Sequence, residues 1–418
     1  MIDTLKARVF LLAVSYLVVA QSHYLWGDIR VPVYSYFQSE GEYFVNISIG
    51  EPPHVFRLQI DTGSSDLGVP KWGCPSCGRH ASNRYVPNDS KSSRPVNCSS
   101  TTLKCELCHR HVCAYQISYA DDSGYQAQLY HDRVSFSFAA NDTSVLGIVG
   151  GMYSQRSPKR NPMQPEKVDG IIGLAFPSVS TPGSPTIIDN LALGSKIDDV
   201  FSLCLNRDKG GALYLGSPKN NDLYSNGMQW TPLKKKTYYV VNLVDILLNN
   251  ESIGVKPAVY NRGDCIIDSG TSGFTLPRPA FDAFRNSLLK FCDNTTTSLV
   301  GVCTDQSGRK IERGRGMFEG NCYELTGDDI AKFPTLYVKF EGTSRLAIEP
   351  DMYLRSGRVF CPESGKGGTK KYTLGLDSGS VSGGTLMGDV FMSSYLIVFD
   401  RRGQGRIGFA NAKNNCFD

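Results

Sequence analysis

The sequence predicts an all-β fold of two halves built alike, with a few short helices. Two observations carry that prediction. Short alternating runs bounded by turn residues recur along the 418 residues, while long helical periodicity is scarce. Two near-identical strings also occur 207 residues apart, Ile60-Asp61-Thr62-Gly63-Ser64-Ser65 and Ile267-Asp268-Ser269-Gly270-Thr271-Ser272. Each is followed by a Leu and then a Pro: Leu67 and Pro70 in the first, Leu276 and Pro277 in the second. Such internal repetition implies one supersecondary unit used twice. Two halves that each offer one carboxylate can bring them together across a pseudo-twofold axis.

Strands are expected at 43–49, 55–60, 115–119, 134–138, 212–215, 238–248, 336–340, 395–399 and 407–410. The segment 115–134 reads as a hairpin. Tyr115, Ile117 and Tyr119 alternate on one side, Asp121-Asp122-Ser123-Gly124 makes the turn, and Tyr125, Ala127 and Leu129 resume the alternation. A helix is expected after Pro277, where Phe281, Phe284, Leu288 and Phe291 fall on one face. A shorter one is expected over 186–193. Pro218, Asn220, Asn221, Asp222, Asn226 and Gly227 cluster where the halves should join. The expected organisation is a signal peptide over 1–22, a short segment over 23–41, an N-terminal lobe over 42–217 and a C-terminal lobe over 218–418.

Composition excludes several classes. Hydrophobic residues make up 41% and charged residues 20%, which fits a globular chain and not a disordered one. A net charge of +4 gives no basis for nucleic-acid binding, and Lys234-Lys235-Lys236 reads as a solvated turn before a strand. Lys6 and Arg8 precede an apolar run over 9–20 broken only by Ser15, and Val18-Val19-Ala20 offers small residues for cleavage. That run is short for a membrane span of about 20 residues; an uncleaved signal anchor is the alternative. No later stretch is long and apolar enough to serve as a transmembrane anchor.

Thirteen cysteines behind a signal peptide imply an oxidising compartment. Six lie in an insertion over 74–113: Cys74, Cys77, Cys98, Cys105, Cys108 and Cys113. With His109 and His111 beside them they could be read as zinc ligands. The secretory signal favours three disulfides and no metal, and the sequence does not choose among the fifteen pairings. Cys292 and Cys303 bracket a polar loop and are expected to close it. Sequons at Asn88, Asn141, Asn250 and Asn294 are the expected glycosylation sites. Asn46 lies in a strand pattern and Asn97 precedes a cysteine, so both are poorer acceptors.

Taken together, these strings resemble the pepsin-like aspartic proteases, over roughly residues 40–413. Asp61 and Asp268 match the catalytic pair. Tyr119 in Ile117-Ser118-Tyr119-Ala120-Asp121 matches the flap tyrosine, with Ala120 and Asp121 beside it as substrate-facing positions. Asp169-Gly170-Ile171-Ile172-Gly173-Leu174-Ala175 matches the segment that threads under the first Asp loop, and Leu386-Met387-Gly388-Asp389-Val390-Phe391 matches its partner. Val398-Phe399-Asp400-Arg401 and Ile407-Gly408-Phe409-Ala410 match the closing strands. The cysteine spacing between Cys74 and Cys113 looks closer to the cysteine-rich, plant-type or nepenthesin-like branch than to pepsin itself. Cys322 and Cys361 sit where the family has a lobe disulfide. Of the remaining three, Cys265 and Cys416 are the expected pair and Cys204 a free thiol, with Cys204–Cys416 the alternative.

The resemblance implies a bilobal pepsin-like fold with pseudo-twofold symmetry. It further implies a monomeric aspartic endopeptidase that cleaves an extended polypeptide at acidic pH with no cofactor. Passage through the secretory pathway follows, to the exterior or to an acidic endolysosomal or vacuolar compartment. Ser64 and Thr271 are expected to bond the outer carboxylate oxygens, and the Gly63 and Gly270 N–H groups the inner ones. A catalytically silent relative that binds a protein or polysaccharide is the rival reading, since fold alone does not fix function. Two departures stand out. Gly68 occupies the position where the family commonly has a Trp bonded to the flap tyrosine, and Trp72 is the candidate substitute. The segment 23–41 is short for a basic prosegment; a strap across the cleft, with Arg30 and Tyr34–Tyr36, is the alternative.

Overall fold

The computed structural model describes residues 29–139, 142–157, 166–217, 223–293, 298–312, 314–362, 370–379, 383–413 and 416. The expected signal peptide, Asn141 and Asn294 lie outside them, as do residues 218–222 of the expected join between halves. Among the described residues the strands form sheets of fifteen, six, four and three strands.

The strand that delivers Asp61 shows why this sequence folds as it does. In His54–Asp61 the residues Phe56, Leu58 and Ile60 alternate inward and are buried. The strand pairs antiparallel with Tyr43–Ile49, Phe44 opposite Gln59 and Ile49 opposite His54. On its other side runs Gly170–Gly173, parallel to it, with Gly173 opposite Asp61. Gly170–Gly173 in turn pairs antiparallel with Leu67–Pro70, the strand that leaves the Asp loop. The same wiring recurs around the second aspartate. Cys265–Ile267 runs parallel to Thr385–Met387, which pairs antiparallel with the departing strand Phe274–Leu276. The sequence repeat is thus a topological repeat, and each aspartate sits where a strand ends beside a parallel neighbour.

Ile29–Ser35 is a strand of the large sheet, not a strap over the cleft. It pairs antiparallel with Gly210–Leu215 and continues into Tyr43–Ile49 through Tyr34 and Ser35. Ile29, Val31 and Val33 point into the core, which explains the fixed place of this segment. The last strands enter the same sheet. Tyr395–Asp400 pairs with Val200–Asn206 and with Arg406–Ala412.

The expected helix is Arg278–Leu289, with Phe281, Phe284 and Leu288 buried; Phe291 packs from the following 3-10 turn, Lys290–Asp293. The shorter helix is Ile187–Leu193, opened by a capping box between Thr186 and Asp189. The strand expected over 238–248 is broken at Asn242 into Tyr239–Val241 and Leu243–Leu248, which join different sheets. The lysine run also differs from the expectation of a solvated turn. Lys235–Lys236 is a short strand, and Lys234 and Lys235 pair with Glu341 and Asp264.

The six clustered cysteines pair as Cys74–Cys77, Cys98–Cys108 and Cys105–Cys113. Cys292–Cys303 and Cys322–Cys361 are formed as expected. The expected Cys265–Cys416 bond is not: Cys416 pairs with Cys204, and Cys265 is a buried free thiol. The reason is sheet order. Cys204 lies in Val200–Asn206 opposite Leu396, and the turn after the last strand returns Cys416 to a cluster with Cys204, Ala212, Tyr214 and Leu396. Cys265 is enclosed instead between Val241 and Thr385 on neighbouring strands. Asn88 and Asn250 are exposed, and the Asn250 side-chain Oδ1 accepts a hydrogen bond from Arg345 Nη1.

This pairing makes two expectations. Cys416→Ser should lower the unfolding free energy by about 2–4 kcal/mol in a denaturant titration, whereas Cys265→Ala, which removes one buried heavy atom, should cost roughly 1 kcal/mol. Alkylation of the denatured but non-reduced protein should label Cys265; a label on Cys204 instead would contradict the pairing.

Candidate active site

Asp61 and Asp268 are both buried, at 6% and 9% exposure, which is unusual for carboxylates. Each is cradled by its own loop in the same way. The Gly63 N–H donates to Asp61 Oδ1 at 2.8 Å and Ser64 Oγ donates to Oδ2 at 2.5 Å. The Gly270 N–H donates to Asp268 Oδ1 at 2.9 Å and Thr271 Oγ1 donates to Oδ2 at 2.6 Å. All four supporting residues read from the sequence therefore stand where expected.

The two glycines have a second role that the sequence did not disclose. A Cβ on Gly63 would lie 2.6 Å from Asp268 Oδ1, and one on Gly270 would collide with Asp61 Oδ1. Each glycine is thus the floor on which the opposite carboxylate rests. Glycine is needed here for close approach, since neither position has a left-handed φ. Thr62 and Ser269 were also missed. Thr62 Oγ1 donates to Ile267 O at 3.0 Å and accepts from the Ser269 N–H at 2.9 Å. Ser269 Oγ donates to Ile60 O at 2.8 Å and accepts from the Thr62 N–H at 3.1 Å. Their equivalent places in the two strings were the available signal.

Burial pushes the proton affinity of Asp61 up, and the neighbouring Asp268 charge raises it further, to about 7; Ser64 and Gly63 offset part of this. The pair therefore retains a proton well above the ordinary carboxylate range, because two adjacent buried charges are costly. Half-buried Tyr238 lies within the electrostatic reach of the same pair. Its hydroxyl is raised by burial and then by both Asp61 and Asp268. Asp66, with no counterpart in the second loop, is buried and accepts from Ser180 Oγ and the Thr181 N–H, bracing the first loop from behind.

The hairpin is formed by Val112–Ser118 and Gly124–Phe136, with Ser118 opposite Gly124. Tyr119 opens its turn, the Tyr119 N–H donating to Ser123 O at 2.9 Å. Ala120 and Asp121 are exposed at the tip. Burial raises the Tyr119 hydroxyl, and the charges of Tyr125 and Asp61 raise it further. Trp72 does not approach it. That indole is 71% exposed, and the space beside Gly68 is filled by Tyr125 and Met152.

Residues 42–412 match the family described as Eukaryotic aspartyl protease. This chain belongs to that family. It is 27% identical to Pepsin A of Bos taurus over 387 residues, covering 91% of this chain and 86% of the relative. It is 28% identical to Cathepsin D of Mus musculus over 397 residues, covering 89% and 81%. Aspartic proteinase 39 of Arabidopsis thaliana is 26% identical over 416 residues, covering 94% and 77%. The all-β architecture of this family member, with its few short helices, agrees with the pepsin fold. Among the described residues no cluster of three His, Cys, Asp or Glu side chains is arranged to hold a metal ion.

The raised affinity of Asp61 carries a stability consequence. The folded chain keeps a proton that the unfolded chain releases near pH 4, so this group weakens the fold as pH rises from about 4 to about 7. Asp61→Asn removes that penalty. Its Tm should exceed that of the unsubstituted protein at pH 7, and the gap should shrink toward pH 4. A gap that widens on acidification would show that burial of Asp61 is not the cause.

Proposed function

We propose that this chain is an active aspartic endopeptidase. The observation that carries the reading is the complete double cradle: two buried carboxylates, each held by its own Gly and hydroxyl, each resting on the other loop's glycine. A pair holding one proton contains a general base and a general acid at once. The ionised carboxylate takes a proton from a water, and the resulting hydroxide bonds to the peptide carbonyl carbon. The protonated carboxyl gives its proton to the carbonyl oxygen, leaving a neutral gem-diol. The pair then removes a proton from one diol oxygen and delivers one to the nitrogen as the C–N bond breaks, which restores the single shared proton.

The hairpin acts as the flap. It closes over an extended polypeptide, excludes water and sets Tyr119 against the reacting carbonyl. Both carboxylates come from one chain, so the enzyme works as a monomer. Six disulfides support folding in the secretory pathway. The stapled insertion over 74–113 and the likeness to a plant proteinase support membership of the cysteine-rich, plant-type branch. A catalytically silent binder would need neither the cradle nor the proton.

Asp268→Asn should fold normally and lose two to four orders of magnitude in kcat/KM on a peptide library, the usual scale for acid–base groups. In the unsubstituted enzyme, loss of the Asp61 proton removes the acid, so kcat/KM should fall about tenfold per unit above pH 7. A statine-type inhibitor should abolish cleavage. Unchanged turnover by Asp268→Asn would exclude the two-carboxylate mechanism, and inactivity of the unsubstituted chain from pH 3 to 7 would favour the silent binder.

A further inference from the structure

Two glycines face each other where Leu67–Pro70 runs parallel to Val145–Arg156: Gly68 is the register partner of Gly150. Neither has a left-handed φ, so backbone conformation does not demand glycine. Space does. A Cβ on Gly68 would lie 2.7 Å from the Tyr125 hydroxyl and 2.8 Å from Met152 Cε, and one on Gly150 would collide with the Tyr115 hydroxyl. The gap opened by the two glycines is filled by two phenols, one from each strand of the flap hairpin. Tyr115 and Tyr125 meet edge to face at 5.8 Å and 77°, with their hydroxyls hydrogen-bonded at 3.1 Å. Both side chains are buried, at 1% and 5% exposure.

Tyr119 leans on this cluster. Its ring centre is 6.2 Å from that of Tyr125, and it packs against the buried cluster to which Tyr115, Tyr125 and Met152 belong. Its hydroxyl is shielded from solvent but closes no hydrogen bond of ordinary geometry. Ala120, Asp121 and Asp122, next along the tip, are exposed. The tip therefore supplies little to orient the Tyr119 ring, and the phenol cluster supplies the packed surface that does.

We propose that Tyr125 is the positioning residue of the flap: seated in the Gly68–Gly150 gap and bonded to Tyr115, it is the backstop that fixes the Tyr119 ring at the hairpin turn. Tyr125 touches no reacting atom and acts through Tyr119. A ring at the hairpin tip without a backstop samples orientations that misplace it, and misplacement lowers turnover more than binding. The proposal rests on the peptidase reading, so its test includes a measurement that needs no turnover.

The experiment combines amide hydrogen exchange over 117–124 with kinetics per active site, the sites being counted by titration with a tight-binding statine-type inhibitor. Tyr125→Phe keeps the ring and should lower kcat about three- to tenfold, with KM changed less than about twofold. Tyr125→Leu should lower kcat about 30- to 100-fold and raise exchange over 117–124. Gly68→Trp alone should displace Tyr125 and behave like Tyr125→Leu. Added to Tyr125→Ala, it should refill the gap, restoring protection and raising kcat at least about tenfold over Tyr125→Ala. Unaltered exchange over 117–124 in Tyr125→Leu overturns the proposal; if that variant does not fold, an unaltered kcat in Tyr125→Phe overturns it. An unsubstituted protein that cleaves nothing sinks the peptidase reading, and the exchange measurement still decides the role of Tyr125.

Discussion

The crossed hydrogen bonds between Thr62 and Ser269 are the constraint on which the site depends. Each residue reaches the main chain of the other Asp loop, once as donor and once as acceptor, so four bonds join the two strings at their centre. Each is worth about 1 kcal/mol in stability. Their larger effect is geometric. They hold two backbones so near that only glycine fits at positions 63 and 270, and so near that the carboxylates share an environment. The raised proton affinity follows from that closeness, together with burial.

A second set of contacts keeps the second loop in place from below. Arg355 is buried, donating to Asp389 Oδ2 at 2.6 Å and to Ser272 O at 3.0 Å, and its guanidinium lies over Phe37. Tyr43 donates to the other Asp389 oxygen at 2.7 Å. Phe37 and Tyr43 belong to the segment that follows the first strand, so the beginning of the described chain is bonded to the structure under Asp268. Removing one partner of a buried ion pair costs about 3–5 kcal/mol, because the other charge is left without compensation. The second Asp loop is therefore supported by residues from both ends of the chain.

What was legible in the sequence was what the sequence encodes locally. The two Asp strings, the hairpin turn at Asp121–Gly124 and the helix after Pro277 are contiguous patterns, and each carries its own signal. The short strand at Tyr43–Ile49 was legible for the same reason. What failed to show depends on which strands become neighbours. Cys204 finds Cys416 because Val200–Asn206 lies beside Tyr395–Asp400, and no local pattern reports that. The filling of the Gly68 space by Tyr125 rests on the pairing of Gly68 with Gly150 and of Ile117 with Tyr125. Trp72 was the nearest aromatic in sequence, yet the strand ends at Pro70 and the chain turns outward.

The first and last strands of the described chain lie in one sheet, and that has a consequence for biosynthesis. Val200–Asn206 has Gly210–Leu215 on one side but must wait for Tyr395–Asp400 on the other. At about 5–20 residues per second of translation, that edge stays open for roughly 10–40 s. An open strand edge is a template for mispairing with other chains. Cys204 sits on that strand and waits the same time for Cys416, 212 residues downstream. The clustered cysteines have partners only 3, 8 and 10 residues away and can close at once. In an oxidising compartment, local closure would withdraw six competing thiols before Cys204 meets its distant partner.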